Sequence, residues 1–300
     1  MLIQRKGMIK MSNVLECKDI VKKFKEKEAL KGVSLSLEKG KIYGMIGRNG
    51  AGKTTLLSIM SAQSKPTKGS VNLDGEDVWE NQKCIDNICF SRELNPLSSF
   101  GPNNVKVKEL LKMAAIYYPH WDKQMADSLV KEFDLNVKQK ISKLSKGMLS
   151  MVTIIIALAS KSEFTILDEP VAGLDVVARE QFYKLLLDEY NATGRTFVIS
   201  THIIEEAADL FEEVIIVRDG NILLKENTMD LLERAYHVSG AAAEVDELTA
   251  RYEAHHIENM GRSKGAALLL NSGERLEVSQ DVMVQPMSLQ NLFVALCGKE

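Results

Sequence analysis

Gly47-Arg48-Asn49-Gly50-Ala51-Gly52-Lys53-Thr54 is the stretch whose reading decides the fold. It fits GxxxxGK[ST] at every fixed position. The apolar run Lys41–Ile46 precedes it and suits a central buried strand. Lys53–Ser61 follows and reads as a helix. Glycines let backbone N–H groups wrap a phosphate, because a Cβ would obstruct the close approach. The N-terminus of the following helix adds partial positive charge. Gly47, Asn49, Gly50, Ala51 and Gly52 are therefore expected to cradle phosphate. Lys53 is expected to contact the β- and γ-phosphates, Thr54 to ligate Mg²⁺, and Thr55 to help hold phosphate. A chance Gly-rich turn would lack this strand–loop–helix setting.

Downstream, Phe164-Thr165-Ile166-Leu167-Asp168-Glu169 is an apolar strand ending in two carboxylates. Alone it marks a strand end; after a phosphate loop it gains meaning. Asp168 is expected beside Mg²⁺, through water. Glu169 is expected to orient and deprotonate the attacking water. Around these motifs the chain reads in blocks. Residues 12–95 are strand-rich, with Val33, Leu35 and Leu37 alternating with polar neighbours. Residues 97–160 read as helical: Leu110, Leu111, Ala114 and Ala115 recur at helical spacing, as do Met125, Leu129 and Phe133. Residues 161–235 alternate β-branched runs with helical segments, which predicts a mostly parallel sheet flanked by helices. In the last block, 236–300, a helix is expected through Tyr252, strands at His256–Met260 and Ala266–Leu270, and a helix over Ser288–Cys297.

Composition is ordinary for a globular chain of 300 residues, 45% hydrophobic and 26% charged. The net charge of -3 argues against a nucleic-acid binder. Cys17, Cys84, Cys89 and Cys297 form no CxxC pair or metal spacing, and free thiols fit a reducing compartment. The longest apolar stretch, Met151–Ala159, is far short of the ~18–20 residues that span a bilayer. Residues 1–11 lack a signal-peptide core and are expected to be a disordered extension. His255-His256 are expected to point to different sides of a strand, which favours a surface pair over a metal site.

Leu144-Ser145-Lys146-Gly147-Met148 resembles the LSGGQ signature of ATP-binding-cassette (ABC) ATPases. Other positions match in order: Phe24 at the adenine-stacking aromatic, Glu93 near the Q-loop, Gly173-Leu174-Asp175 at the D-loop, and His202 at the switch histidine. The resemblance covers about 14–232. It implies a P-loop NTPase cassette of the α/β class, with a mostly parallel core sheet, an antiparallel β subdomain and a helical subdomain. A small α+β accessory region would follow at 236–300. The cassette itself would span 12–235, with the helical subdomain over about 97–160.

The resemblance also implies roles. Phe24 would stack on adenine, the alternative being a core aromatic. Ser145, Lys146 and Gly147 would begin a helix facing the γ-phosphate held by another subunit. Asp175 would join the nucleotide interface, and His202 would hold the γ-phosphate, Glu169 and water. Two departures stand out. Lys146 and Met148 replace Gly and Gln; Lys146 either attracts phosphate or faces solvent. Glu93 replaces Gln; a carboxylate only accepts hydrogen bonds, and it is a candidate Mg²⁺ ligand, directly or through water.

LSKGM and the Tyr117-Tyr118-Pro119-His120-Trp121-Asp122 turn are similar to those of ABC-2-type bacterial exporters; a packed loop is the plainer reading of the turn. The expected cofactors are ATP and Mg²⁺. The expected partners are a transmembrane permease, received near Leu97–Val107, and a second ATPase subunit, identical or not. The chain would sit in the cytoplasm at the inner membrane face, touching the membrane only through the permease. A second reading is a soluble non-transport ABC ATPase serving a protein or nucleic-acid machine. Such proteins often carry two cassettes or a long coiled-coil insert, and neither is visible.

Overall fold

The computed structural model describes residues 14–94 and 105–298. The expected extension 1–11 and most of the segment Leu97–Val107 lie outside the described residues. Strands β1 (Val14–Phe24) and β2 (Lys27–Glu38) form an antiparallel hairpin. In β2, Val33, Leu35 and Leu37 are buried while Ser34 and Ser36 are exposed, as the alternation predicts. Strand β3 (Ile42–Ile46) is buried throughout and leads into helix α1 (Lys53–Met60). Strands β4 (Lys68–Leu73) and β5 (Glu76–Asp77), helix α2 (Gln82–Ile85) and strand β6 (Ile88–Arg92) follow.

The helical block holds α3 (Val107–Tyr117), α4 (Lys123–Glu132) and α5 (Lys146–Ala159). Helix α5 starts three residues before the apolar run at Leu149, because the Ser145 hydroxyl caps it by accepting from the Met148 N–H at 3.2 Å. Of the predicted stripes, Ala114, Leu129 and Phe133 are buried and Leu110, Leu111 and Met125 are half-buried, but Ala115 is exposed. The aromatic turn packs: Asp122 caps α4, and the Tyr118 hydroxyl meets the Cys89 thiol at 3.3 Å.

The chain then alternates β7 (Phe164–Asp168), α6 (Val176–Thr193), β8 (Thr196–Ser200), α7 (Ile204–Ala207), β9 (Glu213–Arg218), β10 (Asn221–Asn227) and α8 (Thr228–Leu232). The last elements are β11 (Ala235–Ala241), α9 (Ala242–Arg251), β12 (Ala254–Met260), β13 (Ser263–Leu269), β14 (Met283–Pro286) and α10 (Leu289–Cys297).

Among the described residues three sheets form. One runs β2-β1-β4-β5 and is antiparallel. The central six-stranded sheet runs β10-β9-β3-β8-β7-β6 and is parallel apart from the β9–β10 hairpin. The third runs β12-β13-β11-β14, also antiparallel. Alternate residues of the central strands feed two cores. Tyr43, Met45, Phe164 and Ile166 pack toward the first sheet and α1. Ile42, Ile46 and Leu167 pack with the helical block. Gly44 keeps the sheet tight: a Cβ there would meet the Phe211 ring at 2.2 Å. Parallel β3, β7, β8 and β6 end on one edge, so the segments after them meet there. All four cysteines are free and buried, and burial pushes the Cys17 thiol up to about 12.

Candidate functional site

The phosphate loop leaves β3 and closes through a turn in which Ala51 N–H donates to Arg48 O at 3.0 Å. Gly52 caps α1 at φ 113, a backbone region that L side chains rarely adopt. Gly47 lies so close to β9 that a Cβ would sit 2.5 Å from the Val217 carbonyl oxygen. The loop is thus a cradle of bare backbone. Lys53 is buried and donates from Nζ to the Gly47 carbonyl at 2.6 Å. Burial lowers the pKa of its ammonium, against the pull of Glu169 and Asp168, which favour the charged form.

Across the edge, Thr54 donates its hydroxyl to Asp168 Oδ2 at 2.7 Å. The Ser200 hydroxyl donates to Asp168 Oδ1 and also accepts from the Glu169 N–H at 3.2 Å. Ser200 was not singled out by the sequence reading. It ends β8 in register with Asp168, so strand pairing alone delivers it. Glu169 adopts a left-handed φ of 52, a conformation that costs a non-glycine residue on the order of 1–3 kcal/mol. That turn aims its carboxylate at His202, whose Nδ1 lies 2.6 Å from Oε2. Five sequence-predicted residues therefore come together: Lys53, Thr54, Asp168, Glu169 and His202.

The donor chemistry fits Mg²⁺. Among the described residues no group of three or more His, Cys, Asp or Glu side chains forms a metal cage. The Thr54 hydroxyl and Asp168 carboxylate leave most positions to phosphate and water, as Mg²⁺ prefers. Glu93 is not brought to this pair. Its carboxylate lies 3.2 Å from Lys146 Nζ. Lys146 is accordingly engaged by a carboxylate within its own chain.

Phe24 ends β1 and is half exposed, so it is not a core aromatic. Its ring carries Lys22 Nζ at 5.2 Å and lines a cleft with Thr54 and Thr55. The signature segment lies elsewhere. Gly147 packs on the D-loop so closely that a Cβ would sit 2.6 Å from the Gly173 carbonyl oxygen, and Ser150 donates to Ala172 O at 2.6 Å. Asp175 caps α6 by accepting from the Ala178 N–H at 2.9 Å. Among the described residues no hydrogen bond or ion pair joins Ser145, Lys146, Gly147 or Asp175 to Gly47–Thr55. His255 and His256 each face their own glutamate, Glu253 at 3.2 Å and Glu258 at 3.0 Å.

A buried strand, a glycine cradle with its lysine, and a carboxylate pair at the end of a neighbouring parallel strand define a P-loop nucleoside-triphosphate hydrolase. The family model for ABC transporter matches residues 30–172. The bacitracin transport ATP-binding protein BcrA of Bacillus licheniformis is 31% identical over 226 residues, 75% of this chain and 72% of that one. The galactose/methyl galactoside import ATP-binding protein MglA of Clostridium perfringens (strain SM101 / Type A) is 29% identical over 232 residues, 73% of this chain and 44% of its own length. The solved dimeric post-hydrolysis cassette MJ0796, bound to ADP and Pi, superposes with a TM-score of 0.61 at 26% identity, covering 71% of this chain and 98% of that one. The chain belongs to the ABC transporter family. It is an ATP-binding, ATP-hydrolysing subunit of a transporter.

Proposed function

We propose that the chain is the motor subunit of an exporter and works as a head-to-tail dimer. Each ATP would lie between Gly47–Thr55 of one subunit and Ser145–Met148 of the other. The observation that carries this reading is the division of the site. Lys53, Thr54, Asp168, Glu169 and His202 converge on one edge, while among the described residues no hydrogen bond or ion pair joins the capped N-terminus of α5 to them. A helix N-terminus suits an anion, so a second subunit's γ-phosphate is its natural occupant. Likeness to the dimeric MJ0796 cassette supports the same arrangement.

Within that dimer the residues divide the work. Lys53 places its charge at the β- and γ-phosphates. Thr54 and Asp168 would hold Mg²⁺, which would supply positive charge to the phosphate oxygens. Glu169 orients a water and accepts its proton, and His202 fixes the Glu169 carboxylate from 2.6 Å. ATP bound by both subunits favours the closed dimer, and its hydrolysis removes the bridge.

A permease partner is supported by helix α3, which leaves Met113, Ile116 and Tyr117 exposed on the helical block. Among the described residues no helix is long and apolar enough to cross a membrane. Export rests on the LSKGM segment, the Tyr-Pro-x-Trp-Asp turn and likeness to BcrA. The proposed location is the inner face of the cell membrane, reached through the permease. Detergent co-purification with a multi-span membrane protein tests this partner, and its absence from cells expressing the chain favours the soluble, non-transport reading. The test of the site is Glu169→Gln. Loss of a general base costs typically ~10²–10⁴-fold in rate. The variant is expected to lose turnover on that scale, bind ATP normally and dimerise more strongly with it. Undiminished turnover would remove Glu169 from the mechanism.

A further inference from the structure

Arg92 ends β6 directly opposite Asp168, the last residue of β7, in parallel register. Residues paired across a ladder point to the same face. Asp168 meets Thr54 on the α1 side, so Arg92 projects to that side too. There it lines a cleft of about 280 Å³ with Phe24, Thr54, Thr55 and Ser58. Arg92 is exposed, and among the described residues its side chain makes no hydrogen bond or ion pair. The neighbouring carboxylate does not neutralise it, because Glu93 is paired with Lys146 at 3.2 Å. A guanidinium thus stands in the wall of a cleft whose other sides are the hydroxyl residues Thr54, Thr55, Ser58 and Ser64, the Gln63 amide and an exposed ring.

Those features match the phosphate chain of a nucleotide. Guanidinium presents a planar fork of donors suited to two phosphate oxygens. The lining residues also fix where along the nucleotide it acts. Phe24 stands at the base end and Thr54 at the Mg²⁺ end, and the register with Asp168 puts Arg92 at the second of these, beside the phosphates. We propose that Arg92 is an additional nucleotide-binding residue, contacting the phosphates that ADP and ATP share from the β6 side of the cleft. This rests on the nucleotide site proposed above. It is a binding contact and not a catalytic one, because the γ-phosphate end belongs to Lys53, Glu169 and His202.

The test uses the full chain and compares wild type with Arg92→Ala and Arg92→Lys. A charge-assisted hydrogen bond corresponds to roughly ten-fold in affinity. Arg92→Ala is expected to weaken ADP and ATP binding alike by about ten-fold, both read by calorimetry. In steady-state ATPase assays KM rises by the same factor and kcat stays within about two-fold. Arg92→Lys recovers part of the affinity. The nucleotide-free melting temperature separates binding from folding. Wild-type ADP affinity in Arg92→Ala overturns the proposal, as does a fall in kcat with KM unchanged. If the wild-type chain itself binds neither nucleotide, the site reading fails and the proposal falls with it. If only the variant comparison is flat, Arg92 alone is wrong.

Discussion

Gly147 and Lys146 show how single residues hold the signature segment. A Cβ on Gly147 would meet the Gly173 carbonyl at 2.6 Å, and that acceptor is backbone, so something must shift. Gly147→Ala is therefore expected to push the D-loop and the start of α5 apart. Among the described residues no hydrogen bond or ion pair joins the phosphate loop to this segment, so ATP binding to the monomer should remain. Turnover should fall by more than about ten-fold, since that needs only ~1.4 kcal/mol at the transition state. Equal losses of binding and turnover would count against a divided site. The Lys146–Glu93 pair is weaker, because both side chains are 55% exposed. A double-mutant cycle of Glu93→Gln and Lys146→Met should give a coupling of about 1 kcal/mol or less in thermal melts. A larger value would mean the pair is shielded in solution. At this scale the sequence spoke clearly wherever function is local: Gly47–Thr54 carries its chemistry in consecutive residues. Ser200 and Arg92 were silent because their position comes from strand register with Asp168, and neither differs in sequence from an ordinary strand-end residue.

Between elements, one buried charge network joins α5, α6, β7 and β8. Glu189 of α6 is 4% exposed and Arg195, just before β8, is 6% exposed. Lys161 donates to both Glu189 carboxylate oxygens, at 2.8 and 2.7 Å. Arg195 Nε lies 3.0 Å from Glu189 but off the hydrogen-bond direction, so that contact is ionic. Its Nη groups instead donate to the carbonyls of Ala157, Leu158 and Ser162 and to the Thr165 hydroxyl. Removing one partner of such a pair leaves the other charge buried. Glu189→Ala should destabilise the chain by about 3–5 kcal/mol in denaturant titration. A cost under ~1 kcal/mol would show that the carbonyls around Arg195 and water already carry its charge.

A second tie gives a pH dependence. Glu213 of β9 is half-buried; burial raises its pKa, but Lys225 and Lys41 outweigh that and hold it below the usual glutamate range. A depressed folded pKa adds stability above the unfolded value and loses it as pH falls. Glu213→Gln should therefore be less stable than wild type at neutral pH, the gap closing below about pH 4.3. Both ties escaped sequence reading, as did β11 and β14. Ala235–Ala241 mixes Ala, Gly, Ser and His, and becomes a strand because β13 and β14 pair on either side of it.

At the scale of the whole molecule the C-terminal region has two parts with different ties to the rest. The sheet β11–β14 and α9 share their own core of Val238, Val245, Leu248 and Leu268. Helix α10 does not belong to it. Leu289, Leu292 and Leu296 join the large core that contains Ile42, Leu167 and Phe197. Arg218 fastens its end by donating to the Leu296 carbonyl at 3.0 Å. Phe293 lines a small cleft with Gly47, Thr201, His202 and Ile204. The helix itself was legible, because its apolar period is strong. Which face of the cassette it covers was not, because nothing in Ser288–Cys297 says so. The attachment makes a test possible. Leu292 is 1% exposed, and burying-site Leu→Ala changes cost about 2–5 kcal/mol. If α10 is part of the cassette, Leu292→Ala lowers the unfolding midpoint of the whole chain in one transition, and ATP shifts that transition upward. If α10 belongs to an independent accessory module, two transitions appear and the ATP-dependent one keeps its wild-type midpoint. The shared core predicts the first outcome, with the surroundings of His202 and the tail melting together.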